Sequence, residues 1–327
     1  MTPPKFNLGF FPTPLHELKN FSRAYAGHRI FIKRDDHTGL ATGGNKTRKL
    51  EYLIGDALAQ DADTVITAGA QQSNHCRQAA AACALADLKC HLLLGGEPPG
   101  EVNGNLLLSK LLGAAIHFTG EQRKGEDLEL LAYKLKKEGA KPYVIPYGGS
   151  NMVGAMGYVE AAGELKQQLN KKGMNPDYIF FASSSGGMQA GLMLGMALYG
   201  WHATLMPVRI DKQERDGLSL KEIVRDMVEH GLQSLDISKK IDTGNIPMLE
   251  GFDDAGYGVV THREKEAVQI LARKEGILLD PVYTGRAFHG MIHFLEQRLL
   301  KPGTNVLFWH TGGLPANFHY AKHLVDQ

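Results

Sequence analysis

Lys46 stands in the stretch LATGGNKTRKLEY, residues 40–52, directly after Gly43, Gly44 and Asn45. A lysine behind two glycines suggests a phosphate loop. The Walker loop, however, needs a glycine immediately before its lysine, and Asn45 occupies that place. A nucleotide-binding protein would also need an acidic magnesium ligand after another strand. Beyond Gly44 the pattern turns helical, with Leu50, Leu53, Ile54, Ala57 and Leu58 on one stripe at spacings of three and four. Continued backwards at about 100° per residue, that stripe puts Lys46 at its edge and Lys49 one turn on along a neighbouring line. Burial lowers a lysine's pKa and favours the neutral amine that Schiff-base chemistry requires. A lysine at a helix end can equally snorkel to water, so the stretch alone leaves both readings open.

Three further stretches carry groups suited to binding. In TAGAQQSNHCRQAAAA, residues 67–82, a strand pattern ends at Gly69 and Ser73-Asn74 precede an alanine-rich helix. Both are preferred N-caps, and free N–H groups at such a terminus receive carboxylates and phosphates. Capping alone needs only one of the two. In FASSSGGMQAGLMLGMALYG, residues 181–200, an apolar strand runs into three serines and two glycines and then a helix. The spacing is not G-x-G-x-x-G and no acidic residue follows at the ribose position, so the pattern favours a phosphate without a dinucleotide, against a plain strand–helix turn. In LLDPVYTGRAF, 278–288, and FWHTGG, 308–313, Tyr283 and Thr311 each follow an apolar run. A tyrosine there is either an acid–base group or a packing residue. His289 and His293 are spaced i, i+4, but there is no H-E-x-x-H and no third ligand nearby, so no metal site is expected. There is no G-x-S-x-G elbow either.

Strand and helix patterns alternate around these stretches. Strand-like runs fall at 29–33, 63–69, 89–94, 114–118, 142–146, 178–183, 203–208 and 305–309. Helical patterns occupy 45–60, 74–87, 103–112, 123–138, 151–170, 187–199, 262–275 and 285–299. The order predicts an α/β protein with mainly parallel sheets covered by helices on both faces. Residues 211–261 are more polar, with a helix expected near 215–230. The loops after strand carboxyl ends are where a site belongs.

Composition narrows the function classes. The 327 residues carry 36 Lys+Arg against 35 Asp+Glu, a balance that gives no reason to expect nucleic acid or an anionic membrane. No apolar run is long enough for a spanning helix, and the N-terminus shows no secretory pattern. Three cysteines, Cys76, Cys83 and Cys90, suit a reducing cytoplasm better than a disulfide scaffold.

Together, GGNKTRKLEY, QSNH, SSSGGMQAG, DPVYTG and HTGG, in this order, resemble the D-cysteine desulfhydrase and 1-aminocyclopropane-1-carboxylate deaminase family. The resemblance runs from about residue 8 to about residue 320. It implies pyridoxal 5'-phosphate as cofactor and the tryptophan synthase β-like fold, with two open twisted, mainly parallel sheets flanked by helices. It implies a smaller domain over 48–157 and a larger one combining 1–47 with 158–327, with the cofactor in the cleft between them. It further implies a cytoplasmic homodimer acting on a small amino acid.

Roles follow from the same resemblance. Lys46 would hold the cofactor as a Schiff base, and Asn45 would bond its 3-hydroxyl. Lys49 would support the phosphate side. Ser185, Gly186, Gly187 and Met188 would hold the phosphate, Thr311 would stand beside the pyridine nitrogen, and Ser73 and Asn74 would receive the substrate carboxylate. Tyr257 and Tyr283 would face the substrate. The implied reaction is α,β-elimination, with D-cysteine giving pyruvate, sulfide and ammonia. The run GLATGGNKTRKLE also resembles L-cysteate sulfo-lyases, which release sulfite; their sulfonate would want donors such as Arg77, His75 or His37. The cyclopropane deaminases carry Glu where this chain has Thr284, and a neutral threonine cannot hold the ring protonated as a carboxylate can. That departure argues for a good leaving group and against cyclopropane opening. A cofactor carrier without turnover remains the reading from another class.

Overall fold

A computed structural model describes residues 3–325 apart from Ala26, Gln213 and Lys240. The strands are β1 (Leu15–Glu17), β2 (Arg29–Arg34), β3 (Thr64–Ala70), β4 (Lys89–Gly95), β5 (Ala115–Phe118), β6 (Pro142–Val144), β7 (Tyr178–Ser183), β8 (Thr204–Arg209) and β9 (Asn305–His310). The first helices are α1 (Lys19–Ala24), α2 (Lys46–Ala59), α3 (Asn74–Leu85), α4 (Gly104–Leu111), α5 (Leu128–Lys137) and α6 (Met152–Lys172). They are followed by α7 (Gly187–Leu198), α8 (Leu220–Ser234), α9 (His262–Glu275), α10 (Thr284–Glu296), α11 (Ala316–His319) and α12 (Ala321–Leu324). The strands form two sheets, ordered β1-β2-β9-β7-β8 and β5-β4-β3-β6. Every pairing is parallel except β1 with β2, so the expected fold class holds.

Strand alternation explains why both faces of the larger sheet are buried. Ile179 and Phe181 of β7, with Leu307 and Trp309 of β9, pack toward α6, α7 and α8. The intervening Phe180, Val306 and Phe308 pack toward α9 and α10 on the opposite face. The smaller sheet does the same on a lesser scale. Val65, Leu92 and Leu94 meet α2 and α3, while Ile66, Ala68 and Leu93 meet α5.

Two helix starts differ from the periodicity. The helix expected near 215–230 runs from 220 to 234, because Ser219 and Glu222 form a reciprocal capping box that fixes its start. The pattern over 123–138 yields a helix only from 128. Upstream, Arg123 and Lys124 are drawn into an ion pair with Asp211. Strand β1 has three residues and too little pattern to announce itself.

Helix α6 runs unbroken through residue 157, between the strands of the smaller sheet and β7. It packs closely on α2, where Gly157 lies against the Arg48 carbonyl and the Lys49 amide. Behind that crossing sits a buried charge network. Arg48 Nη2 bonds Asp35 Oδ1 at 2.9 Å, its Nη1 bonds Glu164 Oε2 at 2.9 Å, and Lys33 also pairs with Glu164. Tyr158 donates to Asp35 Oδ2 at 2.7 Å. Burial alone would raise the Asp35 pKa, but Arg48, Lys33 and Tyr158 outweigh it and hold the carboxyl at about 2.

Candidate active site

Four parallel strands end at one cavity. The segments after β3, β6, β7 and β9 contribute Ser73–His75, Tyr147–Gly148, Ser184–Gly186 and Thr311, and the start of α2 contributes Asn45 and Lys46. Met188 and Tyr283 complete the wall. Atom-free space amounts to about 630 Å³ with the mouth included, within the range of small-molecule sites.

The loop before Lys46 is an unusual backbone. Ala41, Thr42, Gly43 and Gly44 all have positive φ, and a side chain on Gly43 would collide with the backbone of residues 36–38. The loop is pinned where Asn45 N donates to Thr311 O at 3.0 Å and Gly44 N to Thr38 Oγ1 at 2.8 Å. Lys46 is thus delivered to the cavity by tethered backbone. Although its amine opens into the cavity, the surrounding protein lowers its pKa to about 8. Nζ lies 3.4 Å from Gly148 O.

Lys49 is buried behind the wall. Its Nζ donates to the same Gly148 O at 2.5 Å and to Ser150 Oγ at 2.6 Å. Ser150 Oγ in turn donates to Ser185 Oγ at 2.7 Å and accepts from Gly187 N at 3.2 Å. Burial, then Lys46 and Arg215, push the Lys49 pKa well down. No carboxylate pairs with Lys49 among the described residues. Gly186 opens α7 at φ +85°, and a side chain on Gly187 would stand 2.8 Å from Lys49 Nζ. A helix N-terminus, glycines that leave no room for a Cβ and a buried lysine amine without an acid partner among the described residues fit a phosphate. The residues therefore fit pyridoxal phosphate.

Ser73 caps α3, its Oγ accepting from Cys76 N at 3.2 Å. That leaves the Asn74 amide for another task. His75 Nε2 lies 2.9 Å from Thr67 Oγ1, whose proton goes to Ile145 O at 2.8 Å. The Thr67 oxygen must therefore accept from His75, so His75 carries its proton on Nε2 and leaves Nδ1 bare. Burial, then Lys46 and Lys49, keep this imidazole neutral.

Tyr283 reaches the cavity wall, and its hydroxyl lies 2.6 Å from that of Tyr257. Tyr257 is not part of the wall; it stands behind Tyr283 with the Arg123 guanidinium 4.2 Å from its ring centre. Burial raises both pKa values well above 10; Tyr147 adds to the rise at Tyr257, where the bond to Tyr283 works against it, and Tyr257 adds to the rise at Tyr283. Thr284 does not line the cavity. Its hydroxyl donates to Asp280 Oδ1 at 2.7 Å, and Asp280 also accepts from the amides of Val282, Tyr283 and Thr284. Motif reading did not single out Tyr147, Gly148 or Ser150, although YGGS after an apolar run was the available signal.

Residues 6–312 match the family described as pyridoxal-phosphate dependent enzyme. A solved structure described as an ACC deaminase homologue is 36% identical, with 98% of this chain and 95% of that chain covered and a TM-score of 0.89. A hydrogen sulfide-producing enzyme from Fusobacterium nucleatum is 21% identical, with 94% of each chain covered and a TM-score of 0.63. A fungal L-serine ammonia-lyase from Rhizomucor miehei is 16% identical, covering 97% and 99%, with a TM-score of 0.68. The last two support the fold.

Proposed function

The chain belongs to the family of pyridoxal-phosphate dependent enzymes, and on that premise we propose that it is a lyase acting on a small β-substituted amino acid. The preferred substrate is D-cysteine. The observation that carries this reading is one cavity that joins a depressed lysine, a helix-start carboxylate site and a serine–glycine phosphate cradle.

When bound, pyridoxal phosphate supplies a conjugated sink for the electron pair left at the α-carbon. The chain's own residues do the rest. Ser185, Gly186, Gly187 and Met188 would hold the phosphate with Lys49 behind them, Asn45 would bond the ring hydroxyl and Thr311 would stand beside the ring nitrogen. Ser73 and Asn74 orient the substrate carboxylate at the start of α3. Lys46 Nζ, or a tyrosine hydroxyl, would take the α-proton. The Tyr283 hydroxyl, backed by Tyr257, stands at the departing group. The carbon–sulfur bond breaks with its electron pair going to sulfur, and hydrolysis of the released enamine gives pyruvate and ammonia.

Substrate rank rests on what the cavity lacks. Of three residues that could meet a sulfonate, Arg77 is engaged by Asn74, Asn105 and Gly43, and His75 is neutral. His37 lies outside the cavity beside Arg34 and Asp36. This favours D-cysteine over L-cysteate. The relative described as an ACC deaminase homologue supports 1-aminocyclopropane-1-carboxylate as another reading; Thr284 turns to Asp280 outside the cavity wall, so its difference from Glu does not decide between the two. The same proposal includes a homodimer, a cytoplasmic setting, and the division into 48–157 and 1–47 with 158–327. No helix among the described residues is long and apolar enough to cross a membrane.

The test offers D-cysteine, L-cysteine, L-cysteate and the cyclopropane amino acid to protein loaded with pyridoxal phosphate, measuring sulfide, sulfite, pyruvate and 2-oxobutyrate. D-Cysteine should turn over fastest; faster cysteate or cyclopropane turnover overturns the ranking. Absence of a visible absorption band in the loaded protein, or a band unchanged in Lys46→Ala, removes the central reading.

A further inference from the structure

Arg77 is fully buried, yet no carboxylate pairs with it among the described residues. Its Nη1 donates to Asn105 Oδ1 at 2.9 Å and to Asn74 Oδ1 at 3.3 Å. Its Nη2 donates to Gly43 O at 2.6 Å, and its Nε has no acceptor. Burial lowers its pKa to about 9, which still leaves it charged near neutrality.

Arginine has donors only, so it decides the orientation of every amide it meets. The Asn74 atom facing it must be oxygen, and so must the Asn105 atom. The Asn105 amino group is thereby directed to Gln72 O at 3.0 Å and to Asn74 Oδ1 at 2.9 Å. Asn105 is itself fixed where its backbone N–H donates to Gln72 Oε1 at 2.8 Å. Two donors thus converge on Asn74 Oδ1. The Asn74 amino group has no protein acceptor among the described residues, and Asn74 lines the cavity.

We propose that Arg77 and Asn105 are positioning residues that lock the Asn74 amide with its NH₂ group toward the cavity, so that the subsite accepts a carboxylate and rejects a carboxamide. This rests on reading Ser73 and Asn74 as the carboxylate subsite. An unlocked amide could rotate and offer its oxygen instead, welcoming a carboxamide nearly as well. Through Nη2 the same guanidinium holds the Gly43 carbonyl, three residues before Lys46. The carboxylate subsite and the loop of the covalent lysine therefore share one anchor.

Glycine and glycinamide are suitable probes: both present an amine, neither has a β-substituent to lose, and both are achiral. Each is titrated into loaded protein while the visible absorption is followed, and bound cofactor is quantified after denaturation. Wild type should prefer glycine at least tenfold. Asn105→Asp keeps the bond from Arg77 but sets an oxygen against Asn74 Oδ1, so the preference should fall to within about threefold with cofactor content unchanged. Asn105→Leu, nearly isosteric and uncharged, carries the same expectation should the aspartate variant not fold. Arg77→Lys should restore part of the preference that Arg77→Met loses. A preference within twofold of wild type in the folded Asn105 variants overturns the lock, as does a wild type that binds both probes equally. No spectral response of wild type to glycine instead removes the underlying reading of the cavity as an amino-acid site.

Discussion

Replacing Gly157 by alanine tests whether the α2–α6 crossing positions the active-site lysines. An added Cβ would stand 2.9 Å from Lys49 N and closer still to the Arg48 carbonyl. Ordinary carbon contacts are near 3.5–4.0 Å, so one helix must retreat by about 1 Å. Elsewhere in a helix the exchange would gain about 1 kcal/mol from propensity. Here overpacking costs about 1–3 kcal/mol, and the buried ion pairs of Arg48 resist relaxation. Retreat of α2 moves Lys46 and Lys49 with it, and a misplacement of about 1 Å can cost about 10²-fold in rate. Gly163→Ala is the matched control. It overpacks the same helix, but against the ring of Tyr199, 2.7 Å from the added carbon, and not against the α2 backbone. Urea midpoints, cofactor absorption and pyruvate release should be measured on both. Both variants should lose stability, and only Gly157→Ala should lose about 10²-fold in turnover. Equal turnover of the two at equal loss of stability would refute the argument that this crossing sets the lysines.

Further predictions follow from the charges and phenols. Capture of pyridoxal phosphate by cofactor-free protein needs a neutral Lys46, so its rate should rise with pH and level off above about 8; stopped-flow absorption reads this. Asp35 has a folded pKa near 2, below its unfolded value, so its contribution to stability is present above about pH 4 and is lost as pH falls toward 2. Arg48→Met strands Asp35 and should cost about 3–5 kcal/mol in denaturant unfolding at pH 7. Tyr283→Phe should lower kcat by about 10²-fold or more, whereas Tyr257→Phe, which acts through Tyr283, should lower it less; similar losses in both would place Tyr257 at the substrate itself.

The sequence exposed what is local and hid what is brought together by folding. Buried parallel strands such as YIFFAS and NVLFW are continuous apolar runs with ends near those observed. The SSSGG and SNH stretches could be marked as a turn and a cap at strand ends, and the structure brings both to the cavity wall. Periodicity also placed Lys49 one turn from Lys46, but not its meeting with Ser150 about a hundred residues away. The lock on Asn74 was illegible for the same reason: Asn105 arrives from α4, and no spacing relates it to α3. Thr284 shows the opposite limit. Its neighbour Tyr283 lines the cavity, yet its own hydroxyl turns inward to Asp280, a direction that motif position does not reveal.

The buried network of Lys33, Asp35, Arg48 and Glu164 also bears on how the cleft can open. Arg48 of α2 pairs with Glu164 of α6 and with Asp35, all largely withdrawn from water, so parting the two helices would strand ions in a poorly hydrated interior. A second ion cluster joins Arg123 and Lys124 to Asp211, and it too is largely buried. The cavity therefore resists opening along the α2–α6 crossing. Arg123 of that second cluster also faces the Tyr257 ring, so the charges that tie these segments together stand next to the Tyr257–Tyr283 pair.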